Sequence, residues 1–185
     1  VILIGDKEDI ISRAGDIDLS GASFVNPEKY EKFDEYVNVF VEMRRKKGMT
    51  EARARELLLT NPLYFGCMMV KQDDADGMVA GAINASADVL RAALQTLKTA
   101  PGTRIVSAFF LVIVPDCEYG SNGAFVFSDA GLNQSPSASE LADIAEQSAK
   151  SFQLLVQDEP VVAMLSHSTK GSAKHPDVDK VIEAT

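Results

Sequence analysis

Two arginines and two hydroxyl-bearing loops are the parts of this chain best suited to hold an anion. Arg91 falls early in a helix announced by the polar turn Asn84-Ala85-Ser86. A guanidinium there can reach a phosphate, because its planar fork donates paired hydrogen bonds and stays charged at any working pH. The first N–H groups of such a helix also lack internal partners and point outward. On the residues alone, an exposed helix arginine paired with Asp88 accounts for Arg91 better. Arg44 opens the run Arg44-Arg45-Lys46-Lys47-Gly48, where cations complement the carbonyl end of a helix dipole and glycine supplies the stop. Helix termination accounts for most of those four charges, and the spot can still hold a small anion.

The second loop, 166–174, carries Ser168, Thr169, Lys170 and Gly171 within a run of hydroxyls and two lysines, after an apolar segment and before Pro176. It has the chemistry of an anion cradle, although the G-x-x-x-x-G-K-[ST] spacing of a P-loop is absent. Loops at the carboxyl ends of strands in open α/β sheets are where ligands bind, which favours this one. Other chemistries fare worse. His167 and His175 lie eight residues apart with no cysteine or acidic partner at ligand spacing, so no metal site is assigned. The cluster Asp73, Asp74 and Asp76 lacks the spacing and closing glutamate of a calcium loop. Cys117 stands between Asp116 and Glu118, whose charges oppose a thiolate nucleophile. No G-x-S-x-G elbow or Ser/His/Asp ordering marks a hydrolase.

With 185 residues, 46% of them apolar, the chain can bury a real core. Its formal charge of −9 argues against a nucleic-acid binder, whose affinity would come from massed Lys and Arg. Two cysteines are too few for a disulfide framework and fit a reducing cytoplasm. There is no apolar run of membrane-spanning length and no secretory signal, so no membrane partner is expected. The chain opens on what reads as the middle of a strand, and 178–185 reads as a helix cut short.

The elements that must position these residues follow an α/β pattern. Residues 1–4 read as a buried strand and 7–14 as the helix of one βα unit; 16–21 is irregular. Asn26-Pro27-Glu28 starts a long helix with Tyr30, Phe33, Val37, Phe40 and Val41 on one face, ending at Gly48. Thr50 caps a helix to about 59, and Asn61-Pro62 starts another whose methionines fill the core. A buried strand over 78–83 leads to a helix capped by Asn84 or Ser86, with Leu90, Ala93, Leu94 and Leu97 on its apolar side, stopping at Pro101-Gly102. The β-branched and aromatic run 104–114 predicts a central strand, paired through a glycine-containing turn with a strand at 124–128. Ser137 and Glu140 form a capping box ahead of a helix, 160–165 reads as another buried strand, and Pro176 starts the last helix.

At GMVAGAINASADVLRAALQTLKTAPG and VAMLSHSTKGSAKHPDVDKVIEAT the sequence closely resembles the phosphate acetyltransferase family, with its phosphate butyryltransferase relatives. The likeness extends through RRKKGMT, PDCEYG and SDAGLNQSPSASELADIAEQSAKSF, nearly the whole chain. It implies acyl transfer between coenzyme A and phosphate, with coenzyme A as substrate and no metal or redox cofactor, in a cytoplasmic homodimer of acetate metabolism. It implies two α/β/α domains like those of isocitrate and isopropylmalate dehydrogenases, present in part as 1–103 and 104–185, with the active site in the cleft between them. On that pattern Arg44, which matches the family's R-x-x-K-G, and Arg91 bind phosphate or coenzyme A. The turn at Asn84 and Ser86 belongs to the same site, Cys117 matches a non-nucleophilic cleft cysteine, and Ser168 to Gly171 line the cleft. Asn84 departs from the family, which often has histidine there. The family's closing segment, with its serine, arginine and the aspartate proposed as base, has no match in these residues, so no catalytic residue is assigned within the chain. Two other readings are a non-catalytic acetyl-CoA-sensing module of the same fold and a related oxidoreductase. Residues 1–185 alone are therefore expected to be nearly inactive; acyl phosphate formation from acetyl-CoA and phosphate at a normal rate by this piece would overturn that.

Overall fold

The computed structural model describes residues 1–185, which form two compact units, Val1–Lys98 and Thr99–Thr185. In the first, strand β1 (Ile2–Ile4), helix α1 (Lys7–Ala14) and strand β2 (Ser23–Val25) make a βαβ unit whose strands pair in parallel. Asp6 caps α1 by accepting from the N–H groups of Glu8 (3.0 Å) and Asp9 (3.2 Å). Strand β2 is too short to impose a period on the sequence, and only its pairing with β1 defines it.

The long helix expected from Asn26 is two pieces. Pro27–Lys29 forms a single 3-10 turn capped by Asn26, the backbone turns extended at Tyr30, and helix α2 (Phe33–Arg44) starts afresh. The break has a partner: the Tyr30 hydroxyl donates to the Asp74 carboxylate at 3.1 Å, and its ring packs edge-on to Phe65. Helices α3 (Glu51–Thr60) and α4 (Pro62–Lys71) follow as expected, capped by Thr50 and Asn61. Every residue of α4 from Leu63 to Met69 is buried. Around it lie Tyr36, Val37 and Phe40 of α2, Ala54 and Leu58 of α3, and Ala92 of helix α5 (Ser86–Thr96).

Two expectations fail in the stretch before α5. Residues 78–83 form no strand, and Val79 and Ile83 are fully exposed, because an apolar run becomes a strand only when another backbone takes up its N–H and C=O groups. The N-cap of α5 is Ala85, with no side-chain bond, so neither Asn84 nor Ser86 caps it. The amide N–H of Asn84 instead turns back to the Gly81 carbonyl at 3.4 Å.

In the second unit, strands β3 (Phe109–Ile113) and β4 (Ala124–Ser128) pair antiparallel, with Phe110 opposite Phe127. The hairpin was expected; its burial was not realised. Phe110 and Ile113 are each 63% exposed, since β3 has one neighbour rather than two, and only half of the run 104–114 pairs. Gly123 in the turn has φ 85°, and a Cβ there would lie 2.1 Å from the Val114 carbonyl oxygen, so only glycine fits. Helix α6 (Ala138–Val156) carries the expected capping box: Ser137 Oγ accepts from the Glu140 N–H (3.4 Å) and Glu140 Oε2 from the Ser137 N–H (2.8 Å). Residues 160–165 again form no strand, with Val161 and Leu165 exposed. Helix α7 (Pro176–Ala184) buries Val178 and packs on α6.

One polar clasp ties the loop after α4 to α2. The Asp74 carboxylate accepts from the Tyr36 hydroxyl (2.5 Å) and from Tyr30, and pairs with Lys32. Burial, then the bond to Asp74, pushes the Tyr36 phenol far above its ordinary range. The Lys32 bond first, and Tyr36 second, hold the Asp74 carboxyl below its ordinary value of 3.8. A depressed carboxyl stabilises the fold above its unfolded value and stops doing so as pH falls through the folded one. Asp74→Ala strands a buried hydroxyl and is expected to cost about 1–3 kcal/mol in urea denaturation at neutral pH. The gap between wild type and variant should narrow as pH drops below 3.8.

Candidate anion-binding site

The end of α2, the start of α4 and the first turns of α5 bring chemically useful side chains together within the first unit. Arg44 is the last residue of α2; the turn Arg45–Lys47 and Gly48 (φ 76°) then end the helix. Its Nε is buried and has no hydrogen-bond partner. An orphaned guanidinium donor is costly to bury and marks a place where an acceptor from outside would be welcome. Tyr64, the third residue of α4, is 7% exposed, with its ring edge-on to Phe40 of α2 at 5.8 Å between centroids. On α5, Asp88 and Arg91 stand three residues apart and form an ion pair at 2.5 Å, Arg91 Nη1 to Asp88 Oδ1.

The Tyr64 hydroxyl feels the charges of these groups. Burial pushes the Tyr64 phenol upward, and the positive charges of Arg91 and then Arg44 pull it back; Cys67 and Asp88 add smaller upward pushes. Arg44 and Arg91, which the family resemblance implies as anion ligands, thus both act electrostatically on Tyr64. The sequence offered no reason to single out Tyr64. Its only signal was a hydroxyl inside the otherwise apolar run 63–70. Cys67, one turn further along α4, is wholly buried, and burial pushes its thiol up, so it is a core residue.

The remaining sequence candidates fall elsewhere. Ser86 is exposed at the first position of α5, and Asn84 lines a cavity of 850 Å³ bounded by β1, Gly66, Met69 and residues 74–83. In the second unit Cys117 is half-buried in the turn after β3, its Sγ 3.9 Å from the Tyr119 carbonyl oxygen. The 168–171 loop is stitched to itself. Ser168 Oγ accepts from the Ala173 N–H (3.1 Å), Ser166 Oγ accepts from the Ser168 N–H (3.2 Å), and Lys170 and Gly171 take left-handed conformations. Thr169 and Lys170 are exposed. His175 is the N-cap of α7, its Nδ1 accepting from the Asp177 N–H at 3.2 Å, a role the sequence did not suggest. Asp177 and Asp179 in the first turn of α7 oppose any anion at that helix end.

The family model described as Phosphate acetyl/butaryl transferase matches residues 1–185, and the chain belongs to that family. It is 54% identical to a phosphate acetyltransferase of Acetivibrio thermocellus, over 100% of this chain and 55% of that one. Among solved structures it is similar to the EutD phosphotransacetylase from Staphylococcus aureus (TM-score 0.83, 43% identity, 99% of this chain and 53% of that one). It is similar also to a phosphotransacetylase from Streptococcus pyogenes (TM-score 0.79, 40% identity, 98% and 54%). The chain therefore spans about half the length of the relatives it matches. The fold is α/β, as the sequence indicated.

The Asp88–Arg91 pair is roughly half exposed on both sides, so water and salt screen it. Asp88→Asn should cost less than about 1 kcal/mol in chemical denaturation. A loss well above that would make the pair a structural element rather than an accessory of the site.

Proposed function

We propose that the complete protein interconverts acetyl-CoA plus phosphate with acetyl phosphate plus coenzyme A. The observation that carries this reading is the match of the chain to the family along its whole length, and the buried, unpartnered Nε of Arg44 agrees with it. In the direction of acetyl-CoA synthesis, the coenzyme A thiolate attacks the acyl carbon. A C–S bond forms, the bond between the acyl carbon and the bridging oxygen breaks, and phosphate leaves with the electron pair. Charge grows on phosphate oxygens as that bond breaks, and guanidinium forks suit that geometry. Arg44 contributes a donor with no partner inside the chain, and Arg91 a fork of which Asp88 holds one nitrogen.

No change of oxidation state occurs in this transfer, so the reading needs no redox group; coenzyme A is a substrate, and a reaction without a metal is read from the family resemblance. Asn84, Ser86, Cys117 and the 168–171 loop are read as further substrate contacts on the strength of the family resemblance. Residues 1–103 and 104–185 are read as parts of two domains, a division supported by the change of internal contacts after Lys98. A cytoplasmic homodimer is proposed as well. The free thiols of Cys67 and Cys117 support the compartment, and the dimer rests on family likeness. The net charge of −9 speaks against nucleic acid as a partner.

The test is acetyl phosphate formation by the complete protein from acetyl-CoA and phosphate, followed by thiol release and by trapping the acyl phosphate. Absence of both signals would overturn the reading. In that protein Arg91→Ala is expected to raise KM for phosphate or coenzyme A by roughly 10–100-fold, the equivalent of a lost charged hydrogen bond, with an unchanged circular dichroism spectrum. Unaltered KM values would leave Arg91 as the partner of Asp88 and nothing more.

A further inference from the structure

A strand with one open edge and an apolar run with almost no backbone bonds face the same cavity in the first unit. On the side of β2, the Val1 carbonyl accepts from the Ser23 N–H and the Gly5 N–H donates to the Val25 carbonyl, each at 2.9 Å. Backbone groups alternate along a strand, so Ile2 and Ile4 present theirs to the opposite edge, where β1 has no neighbour. Across the 850 Å³ cavity lies 78–83, and of its backbone groups only the Gly81 carbonyl is bonded, to the Asn84 N–H. Helix α4 lines the cavity between them with Pro62, Leu63, Gly66 and Met69. Ile4 and Met78 both reach Gly66, at 3.1 and 2.7 Å from where a Cβ would stand, so the two edges flank one stretch of α4.

We propose that this cavity takes one β-strand of the complete protein, supplied from outside residues 1–185, which lies on α4 and pairs with β1 on one side and with 78–83 on the other. Two rows of unpaired N–H and C=O groups that face each other over an apolar floor are satisfied together by extended backbone, and a small ligand offers no such repeat. The chain spans 55% of its Acetivibrio thermocellus relative, and that relative carries further chain from which such a strand can come. The consequence for the site is positional. Once paired, 78–83 sets the turn at Asn84 and Ser86 at the end of a strand, and with it the start of α5, which carries Arg91. The proposal goes beyond the reaction proposed above, because it concerns the pairing of backbone and not acyl transfer.

The experiment is amide hydrogen exchange on the complete wild-type protein, read by mass spectrometry. Amides of Ile2, Ile4 and 79–83 are expected to exchange roughly 100-fold or more slowly than in an unstructured chain, at every protein concentration. Exchange at the unstructured rate would overturn the proposal, and protection that vanishes on dilution would overturn it in favour of a second copy of the chain. Neighbouring strands lie about 4.8 Å apart, so a strand in between holds β1 and 78–83 about 9.6 Å apart, beyond the roughly 7 Å between Cα atoms that a disulfide spans. Leu3→Cys combined in turn with Val79→Cys, Ala80→Cys or Ala82→Cys is therefore expected to give no disulfide on oxidation. A disulfide in any of the three pairs would mean that the two edges bond directly, and the proposal would fail. Should those variants misfold, nuclear Overhauser contacts in the wild-type protein decide. Amide contacts from both edges to one segment outside 1–185 uphold the proposal, and amide contacts between 2–4 and 79–83 refute it. None of these readouts needs acetyl phosphate chemistry, so a failure here is distinct from a failure of the proposed reaction.

Discussion

The first unit depends on the burial of α4 on every side. A helix with seven successive buried residues, Leu63 to Met69, has no solvent face and must be enclosed. Helices α2, α3 and α5 supply most of the enclosure, and Ile4 of β1 and Met78 close the rest. Gly66 makes that last contact possible, since a Cβ there would stand 2.7 Å from Met78 Sδ and 3.1 Å from Ile4 Cδ1. The same enclosure orients Tyr64. With Phe65 and Met68 committed to the interior, Tyr64 lays its ring against Phe40 of α2.

Two polar devices complete this packing. The Asp74 clasp joins the loop after α4 to the first half of α2 through two tyrosine hydroxyls and Lys32, and its cost of desolvation is met by three donors on one carboxylate. At the other end of α2, Arg44 meets no such acceptor. One end of the helix is thus satisfied within the chain and the other is not.

The second unit is held differently. Its fully buried apolar side chains are Ile144 of α6 and Val178 of α7, and its organisation relies more on local bonds. The capping box starts α6, and Arg104 forms a two-pronged pair with Asp143 at 2.8 and 2.9 Å. Gly123 closes the hairpin turn. In the hydroxyl loop at 166–173 the Ser166 and Ser168 hydroxyls bond back to the loop's own backbone, while Thr169 and Lys170 stay exposed. Composition names the groups available, and only geometry says which of them are already engaged.

Helices with local signals were legible in the sequence. Thr50, Asn61 and Ser137 cap where their side chains predict, Gly48 stops α2, and the hairpin at 109–128 follows from its run and turn, because each depends on residues a few positions apart. Asp88 as the partner of Arg91 was legible for the same reason. The break at Tyr30 was not, since its cause is Asp74, 44 residues away. Nor was the fate of 78–83 and 160–165, whose apolar character is that of strands but whose pairing needs a neighbour that sequence alone does not supply. By itself the sequence determined the α/β class, the helix ends marked by local caps and the two arginines worth attention. Tertiary structure decided that the Arg44 Nε is buried without a hydrogen-bond partner, because that burial arises from helices packed around one core and from no spacing along the chain.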